Sequence, residues 1–291
     1  MNVGGVLAST RKQLESTVDD AGIEAEVLLR HASGMDRVGL YASLNEPIEP
    51  PAALQLSALV RRRLGGEPLA YIIGRREFYG FDLQVTPDVL VPRQETESLV
   101  DTVIEFIASR TPDGRANIAD VGTGSGAIAV ALARQLPHAT VIATDISAPA
   151  LSVADANRRL NSVADRVHLV QCDLLRGLDG PFDAIVSNPP YIATSELSGL
   201  PADVRSEPAR ALDGGVDGLK ITERLVRQSL GRLTPSGGLF VEIAPEQAEP
   251  IAVLVRRWMQ GFRISIINDL SGSPRVAAIQ SDRPGRFAAL W

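Results

Sequence analysis

The chain has 291 residues, 45% of them hydrophobic, which is enough for a sizeable core in a protein longer than the usual single domain. Its formal net charge of −6 argues against a protein whose main affinity is for nucleic-acid phosphates, because such proteins usually present a basic surface. One cysteine excludes an intrachain disulfide, and with no membrane-length apolar run and no apolar leader segment we expect a cytoplasmic location without membrane association.

Residues 1–75 are predicted to be helical, because helix start and stop signals recur along them. The first two predicted helices cover residues 6–17 and 23–32, and a third begins at Pro51 and stops at Gly65. The second helix has an apolar face, most simply the core of a small bundle, formed by Ile23, Val27, Leu28 and Leu29.

A basic cluster is formed by Arg61, Arg62 and Arg63, at the end of the third predicted helix, together with Arg75 and Arg76. Cations near a helix C-terminus interact favourably with the helix dipole. We therefore interpret the cluster as a solvated helix end, with an RNA contact as the alternative.

Residues 78–85 are predicted to form a short β-hairpin that joins two parts of the chain, with Gly80 at or near its turn. Pro92 and Arg93 then lead into a predicted helix from about Glu95 to Ser109. From the residues alone, Arg93 is explained by a salt-bridged helix start.

The apolar residues 118–121 run into a glycine-rich turn and then into an alanine-rich helical stretch, residues 127–135. Glycines let the backbone approach a ligand closely, and the N-terminus of the following helix presents free N–H groups to it. The spacing is G-x-G-x-G, whereas a nicotinamide-type site has G-x-G-x-x-G. A nucleotide site is therefore predicted, without its ligand, at Gly122, Thr123, Gly124, Ser125 and Gly126.

Two further predicted strands end in polar residues. Residues 141–144 end in Asp145, about twenty residues beyond the glycines, where a carboxylate can accept hydrogen bonds from both ribose hydroxyls. A helix cap is the alternative for Asp145, and both roles can hold. Residues 167–171 precede Asp173 and Leu174, which can place a polar group and an apolar wall around an adenine. Asp173 as a turn former is nearly as good an explanation.

Asn188, Pro189, Pro190 and Tyr191 directly follow the apolar residues 182–187. The amide oxygen of Asn188 is an acceptor, and the two prolines have fixed φ and no N–H, so the carbonyl of Pro189 can also face outward. A planar NH2 group can satisfy both acceptors, and Tyr191 offers a flat face on which it can stack. A proline-rich turn needs neither Asn188 nor Tyr191, so this motif predicts a clamp for an amino group.

Strand and helix alternate from the glycine turn onward, which predicts an α/β fold with a parallel, doubly wound sheet and right-handed crossovers. Two late strands, near residues 264–267 and 276–279, have no long helix between them and are predicted to pair antiparallel. The glycine turn, Asp145, Asp173 and Asn188 all fall at strand ends, where open α/β sheets bind ligands.

These motifs are similar to those of class I S-adenosylmethionine methyltransferases, and the chain resembles the HemK/PrmC family, which methylates the glutamine of release factors. Asn-Pro-Pro-Tyr alone is shared with adenine methyltransferases of nucleic acids. The specific likeness to the family is carried by residues 66–74, 77–78, 91–97, 203–208 and 212–219. Departures from the family pattern are Gln94 in place of proline, Ala244-Pro245 in place of glycine, and a loose version of residues 269–275.

The resemblance implies a seven-stranded Rossmann-like methyltransferase sheet with a small helical domain before it. The implied division is residues 1–75 for docking of the protein substrate, 76–90 for a hairpin linker, and 91–291 for the methyltransferase domain. It also implies S-adenosyl-L-methionine as cofactor, S-adenosyl-L-homocysteine as product, release factors as partners, and a monomer that does not bind nucleic acid directly.

The resemblance further assigns roles to particular residues. The implied catalytic residues are Asn188, Pro189 and Tyr191, and the same residues with Pro190 and Arg93 bind the substrate. The implied cofactor-binding residues are Gly122, Thr123, Gly124, Ser125, Gly126, Asp145, Asp173, Leu174 and Asn188. No metal site is expected, because His31, His138 and His168 are scattered along the chain.

The expected reaction is in-line transfer of the sulfonium methyl group to the amide nitrogen of a glutamine side chain. An adenine-amino methyltransferase acting on DNA or RNA is the alternative, since it would use the same two acceptors and would bind nucleic acid in a salt-dependent way. A non-catalytic or redox protein that holds NAD at the glycine turn is a third hypothesis. Stabilisation by S-adenosylhomocysteine but not by NAD would exclude the third.

Overall fold

A computed structural model describes residues 1–111 and 113–281 of the chain. The chain divides into two compact units, one of Met1–Gly74 with Pro201–Ser206 and the other of Arg75–Leu200 with the chain from Glu207 onward. The predicted boundaries at residues 75 and 90 stay predictions, and the last ten residues of the predicted methyltransferase domain, 282–291, lie outside the described residues.

The first unit is helical. Its first helix begins after Asn2, whose side chain accepts a hydrogen bond from the backbone of Gly5 at 2.8 Å, and its second ends at Gly34 with φ of 71°. The helices are α1 (Val3–Leu14), α2 (Ala21–Ser33), α3 (Arg37–Ala42), α4 (Pro50–Leu64) and α5 (Leu69–Ile73), with a short helix Ala202–Arg205 contributed from later in the chain.

The predicted apolar face of α2 is only partly buried. Leu28 and Leu29 of α2 are buried as expected, whereas Ile23 is 63% exposed because it lies on the opposite side of the same helix.

The basic cluster differs from the predicted solvated helix end. Arg63 is buried and pairs with Glu24 at 2.6 Å and with Asp203 at 3.4 Å, since a buried guanidinium requires partners.

The second unit begins with a two-stranded antiparallel hairpin. Strands β1 (Arg75–Phe78) and β2 (Phe81–Gln84) pair with Phe78 opposite Phe81, so the turn is Tyr79-Gly80, with φ of 77° at Gly80. The predicted turn position is confirmed. The first strand begins at Arg75, three residues before the predicted start of the hairpin at Phe78. The polar residues 75–77 are exposed, which leaves no hydrophobic signal for that strand in the sequence.

A seven-stranded sheet forms the centre of the second unit, in the order β5-β4-β3-β6-β7-β9-β8. β3 to β7 run parallel, and β9 pairs antiparallel with both β7 and β8, which confirms the fold class and the late antiparallel pair. The strands are β3 (Asn117–Val121), β4 (Thr140–Asp145), β5 (Val167–Gln171), β6 (Phe182–Ser187), β7 (Leu233–Glu242), β8 (Phe262–Asn268) and β9 (Pro274–Ser281).

Helices cover both faces of this sheet, so the buried strands have a hydrophobic core on each side. Ile118 belongs to one core and its neighbour Ala119 to the other, as the alternation of side chains along a strand requires. The short helix Ala202–Arg205 of the first unit is α9 in chain order. The helices of the second unit are α6 (Glu97–Arg110), α7 (Ala127–Gln135), α8 (Ala148–Leu160), α10 (Ala209–Leu212), α11 (Lys220–Ser229) and α12 (Ala248–Trp258).

Three short 3₁₀ helices complete the described structure: Gln94–Thr96 before α6, Leu197–Gly199, and Pro245–Gln247 before α12. Across residues 1–111 and 113–281, no helix combines the length and apolar character needed to cross a bilayer.

Candidate active site

A cavity of about 440 Å³ opens at the carboxyl ends of β3, β4 and β6, and all of its lining residues belong to the second unit. This is the edge at which open α/β sheets bind ligands. All of the predicted site residues line the cavity except Gly126 and Tyr191. The structure therefore brings together residues from the glycine turn, from three later strand ends and from the segment around Arg93.

The glycine turn is held open by its backbone conformation and by a buried carboxylate. Gly122 and Gly124 have φ of 73° and 55°, and a Cβ at either position would have no atom within 4 Å, so the turn borders open space. Asp120 accepts hydrogen bonds from the Thr123 hydroxyl at 2.6 Å and from the backbone of Ala129 at 3.1 Å. These contacts fix the turn against the first turn of α7.

Gly126 serves a packing role rather than lining the cavity. A Cβ there would lie 3.2 Å from the Cβ of Ala154 in α8, and the residue has φ of 82°. The third glycine of the turn therefore allows close approach of α7 and α8. The sequence pattern alone does not separate this role from ligand contact.

Burial raises the pKa of Asp120 to about 7, against the opposing effect of its hydrogen bonds from Thr123 and Ala129. Its Oδ1 atom is buried and has no hydrogen-bond partner among the described residues. Asp120 does not line the cavity, so its contribution to the site is to hold the glycine turn from the buried side.

Asp145 ends β4 and faces the glycine turn. Its Oδ2 accepts from the backbone of Gly124 at 2.9 Å, and its Oδ1 accepts from the backbone of Ser147 at 2.8 Å. The side-chain cap of α8 is Ser147, whose hydroxyl accepts from Ala150. Because each carboxylate oxygen has further acceptor capacity, Asp145 can hold the turn and still accept from ribose hydroxyls.

Leu174 and Asp173 form another wall. Leu174 has φ of 57°, an uncommon conformation for this residue type, and its carbonyl accepts from the Thr144 hydroxyl at 3.0 Å. Asp173 pairs with Arg224 of α11 at 2.5 Å. Arg224 also lines the cavity and was not predicted, because the pair joins residues far apart in the sequence.

Asn188 follows β6 and has a defined orientation. Its Nδ2 donates a hydrogen bond to the Thr96 hydroxyl at 3.1 Å, whereas no described residue donates to its Oδ1 or to the carbonyl of Pro189. Ser187 anchors the strand end below, since its hydroxyl donates to the Val121 carbonyl at 2.7 Å. Asn188 and Pro189 both line the cavity, and each has an acceptor without a donor among the described residues; their role as a clamp for an amino group stays a prediction.

Tyr191 is predicted to offer a flat face on which the substrate amide stacks, but it does not line the cavity. The chain turns after Pro190, and the carbonyl of Tyr191 accepts from the Gln247 amide at 3.1 Å. Burial, with a smaller effect from Glu242, raises the pKa of the Tyr191 phenol. A stacking role for its ring stays a prediction.

Arg93 lines the cavity and forms an ion pair with Glu207. The other oxygen of Glu207 accepts from the backbone of Val91 at 3.0 Å, so this buried carboxylate holds the segment that precedes α6. The salt bridge expected at a helix start is present, but its partner lies in residues 203–208, one of the segments that carry the family resemblance.

Other residues at or beside the site were missed, among them Thr96, Glu207, Arg224, Glu242 and Gln247. Thr96 and Glu207 lie inside segments that carry the resemblance, so that resemblance was the available signal for them. In the described parts of the chain, no group of three or more His, Cys, Asp or Glu side chains is arranged to hold a metal ion.

Comparison with known proteins identifies two matching family models. Residues 6–74 match the PrmC N-terminal domain, and residues 96–201 match the methyltransferase small domain. Among solved structures, the hMettl16 catalytic domain in complex with an RNA hairpin has a TM-score of 0.57 at 17% identity, over 96% of this chain and 92% of that one. At this identity the likeness concerns the fold alone.

Curated relatives match nearly the whole chain. The release factor glutamine methyltransferase of Moorella thermoacetica is 45% identical over 92% of this chain and 94% of its own length. The protein of the same name from Rhodopirellula baltica is 44% identical over 89% of this chain and 88% of its own. The resemblance drawn from the motifs is confirmed, and the chain belongs to the release factor glutamine methyltransferase family.

Proposed function

We propose that this chain methylates the side-chain amide nitrogen of the glutamine in the Gly-Gly-Gln motif of peptide chain release factors, with S-adenosyl-L-methionine as methyl donor. The observation that carries the proposal is the pair of unoccupied acceptors at Asn188 and Pro189. A primary amide has two coplanar N–H donors, which match such a pair. Family membership supports the substrate class.

The cavity residues fit a nucleoside cofactor. The positive-φ glycines border open space, Asp145 has acceptor capacity for a ribose, and Leu174 gives an apolar surface beside Asp173 for a base. When bound, S-adenosylmethionine supplies an electrophilic methyl group and leaves as S-adenosylhomocysteine. Gly122, Thr123, Gly124, Ser125, Asp145, Asp173 and Leu174 are the residues proposed to hold it.

The role of Asn188 and Pro189 follows from the chemistry of the nucleophile. An amide nitrogen is a poor nucleophile, because its lone pair is delocalised into the carbonyl. Two acceptors that hold both N–H groups fix the nitrogen in position and favour the positive charge that develops on it during transfer. The acceptors act before any proton leaves, so no general base is required for the bond-forming step.

Arg93 is proposed to contact the substrate from the cavity wall. Its side chain is 36% exposed, while that of its partner Glu207 is almost fully buried, so the ion pair fixes the guanidinium at the site. A guanidinium has more donors than this pair uses and can also bind backbone carbonyls of a bound peptide. A monomeric state, a cytoplasmic location and the absence of direct nucleic-acid binding stay predictions.

The test is transfer of a labelled methyl group. Purified protein is incubated with radiolabelled S-adenosylmethionine and a release factor, beside the same factor with the motif glutamine changed to alanine. Label on the unaltered factor alone is the expected result. Equal label on both would refute glutamine methylation, and label on neither, but on added DNA or RNA, would favour the adenine-amino alternative.

A further inference from the structure

Three residues from separate elements, Asn188, Thr96 and Glu242, lie close together at the proposed acceptor pair. Asn188 directly follows β6 and Glu242 ends β7, and the register pairs Ser187 with Val241, so the next position on each strand lies side by side. Thr96 ends the 3₁₀ helix before α6 and is 4% exposed. Thr96 binds the Asn188 amide and is also near enough to Glu242 to lower the pKa of its carboxyl group.

The hydrogen bonds along this chain of residues have a direction. The Asn188 amide donates to the Thr96 hydroxyl oxygen at 3.1 Å. Thr96 also lies beside the Glu242 carboxyl and favours the ionised form of that group, which lowers its pKa. An ionised carboxylate only accepts, and a hydroxyl has one proton, so the Thr96 proton points to Glu242 and its lone pairs point to Asn188.

This direction discriminates between the two orientations of the Asn188 amide. With its Nδ2 on Thr96, the amide presents Oδ1 to the cavity, where it can accept from a glutamine amide. With the amide reversed, Oδ1 would face the lone pairs of Thr96, and a donor would face the two donors of the substrate. Both ends of the reversed amide would therefore be mismatched.

Glu242 is otherwise hard to explain. The residue is 1% exposed, and its Oε2 atom has no hydrogen-bond partner among the described residues. Burial raises the pKa of Glu242 to about 7, an effect that Thr96 and Arg275 oppose. Burying such a carboxyl group destabilises the fold, and an orienting role for the ionised group, which predominates at pH 8, gives a functional reason for its presence.

We infer that Thr96 and Glu242 are positioning residues that set which end of the Asn188 amide faces the substrate glutamine. The inference rests on the proposed function for its reaction, but the orientation of Asn188 can be observed without any substrate. Neither residue touches the reacting atoms. Their effect is expected on methyl transfer and not on cofactor affinity.

The first test replaces Thr96 with residues of matched shape. Thr96→Val removes the hydroxyl at nearly equal volume, and kcat at pH 8 is expected to fall about tenfold or more, as for loss of a preorganised hydrogen bond. Thr96→Ser keeps the hydroxyl and is expected to restore most of kcat. The Kd of S-adenosylhomocysteine, measured by calorimetry, is expected to stay unchanged in both variants.

Thr102→Val is the matched control, because Thr102 lies in the adjoining helix α6, is 8% exposed and donates only to the Ser98 carbonyl at 2.7 Å. The Thr102→Val variant loses a buried hydroxyl away from Asn188 and is expected to retain wild-type kcat.

Glu242→Gln provides an independent variant. A neutral amide can donate to Thr96 as well as accept, so kcat is expected to fall severalfold.

The second test reads Asn188 directly by NMR of the ¹⁵N-labelled full chain. The side-chain amide signals of Asn188 are assigned by their loss in Asn188→Ala. In the wild type they are expected to exchange with solvent more slowly than those of the exposed Asn268, and in Thr96→Val to shift and exchange faster.

The outcomes separate this inference from the proposed function. Wild-type protein that labels no release factor would refute the proposed function alone, since the NMR comparison would still decide the orientation of Asn188. Active wild type with unchanged kcat in Thr96→Val, or Asn188 amide signals that do not respond to that variant, would overturn the inference. A loss of kcat in Thr102→Val equal to that in Thr96→Val would overturn it as well.

Discussion

Asn188 has two chemically different ends, and the described contacts engage only one of them. Its amide nitrogen is bound to Thr96, its amide oxygen has no donor among the described residues, and both Asn188 and Pro189 line the cavity. The proposed substrate contact therefore depends on two unoccupied acceptors, the Asn188 amide oxygen and the Pro189 carbonyl. The buried Thr96 holds the nitrogen end of the Asn188 amide and so leaves its oxygen end free.

Asn188→Ala is expected to lower methyl transfer by on the order of a hundredfold or more, as for loss of one preorganised polar contact in an active site. Cofactor affinity is expected to remain largely intact, since the glycine turn and Asp145 are unchanged. Single-turnover methylation and calorimetry measure the two effects. The exposed Asn268→Ala serves as control, and wild-type turnover in Asn188→Ala would refute the clamp.

Asp145→Ala is expected to weaken cofactor binding by about tenfold or more, because the variant loses the proposed ribose contacts and the bond to the Gly124 backbone. Asp165 is the control, since its side chain is 76% exposed and lies outside the cavity. Calorimetric titration with S-adenosylhomocysteine gives both affinities. Equal values for Asp145→Ala and wild type would be incompatible with the ribose role.

Among the larger elements, residues 212–219 are hydrogen-bonded to the loop that follows Asn188 and support it. The backbone of Ile192 donates to the Leu212 carbonyl at 3.0 Å, and that of Gly214 donates to the Ile192 carbonyl at 2.8 Å. Gln247 joins the two segments, because its amide donates to the carbonyls of both Tyr191 and Gly218 at 3.1 Å. The backbone at position 218 lies so close to the Tyr191 carbonyl that only glycine fits there.

Gly218→Ala is expected to displace the Tyr191 backbone and to lower turnover by about tenfold or more, since displacement of reactive groups is costly in catalysis. A Cβ at Gly218 would lie 2.2 Å from the Tyr191 carbonyl oxygen, and Gly218 has φ of 72°. The control is Gly199→Ala, where a Cβ meets no atom within 4 Å and φ is not positive. Equal turnover in the two variants would contradict this support role.

The strand ends of the candidate site were predictable because their signals are local. A glycine-rich turn between a strand and a helix, and Asn-Pro-Pro after an apolar run, have direct consequences for backbone geometry. Short helices such as α3 and α5 were not predicted, because so few residues give no clear helical period and depend on packing for stability. Ile23 was misassigned for a related reason, since an apolar residue need not face the core.

The contacts between distant segments were beyond prediction from a single sequence. Thr96 and Asn188 are separated by 92 positions, and Arg93 and Glu207 by 114. No local pattern states which residues of two segments will meet when a sheet assembles. The family resemblance marked these segments as important, and only the fold shows that they converge on one cavity.

At the scale of the whole molecule, two buried carboxyl groups link stability to pH. The pKa of Asp120 and that of Glu242 are both raised to about 7, chiefly by burial. In the unfolded chain these groups ionise near their usual values of 3.8 and 4.5. The folded state therefore binds more protons between pH 4 and pH 7, and its stability falls as pH rises through that range.

Asp120→Asn is expected to remove part of this dependence. The amide cannot ionise, so the melting temperature of the variant should exceed that of wild type by a difference that grows with pH, from a smaller rise at pH 5 to a larger one at pH 8 that reflects on the order of a few kcal/mol. Differential scanning calorimetry from pH 5 to pH 8 measures the effect, with the exposed Asp165→Asn as control. Parallel curves for Asp120→Asn and wild type would show that Asp120 is not responsible.

Asn188 and Pro189 are proposed to hold the side-chain amide of a glutamine between them. A crystal structure of the full chain with S-adenosylhomocysteine and a peptide containing Gly-Gly-Gln would show this contact. We expect the glutamine nitrogen within about 3.2 Å of both Asn188 Oδ1 and the Pro189 carbonyl oxygen, with Asn188 Nδ2 still on Thr96. A glutamine nitrogen bound to neither oxygen would rule out this arrangement.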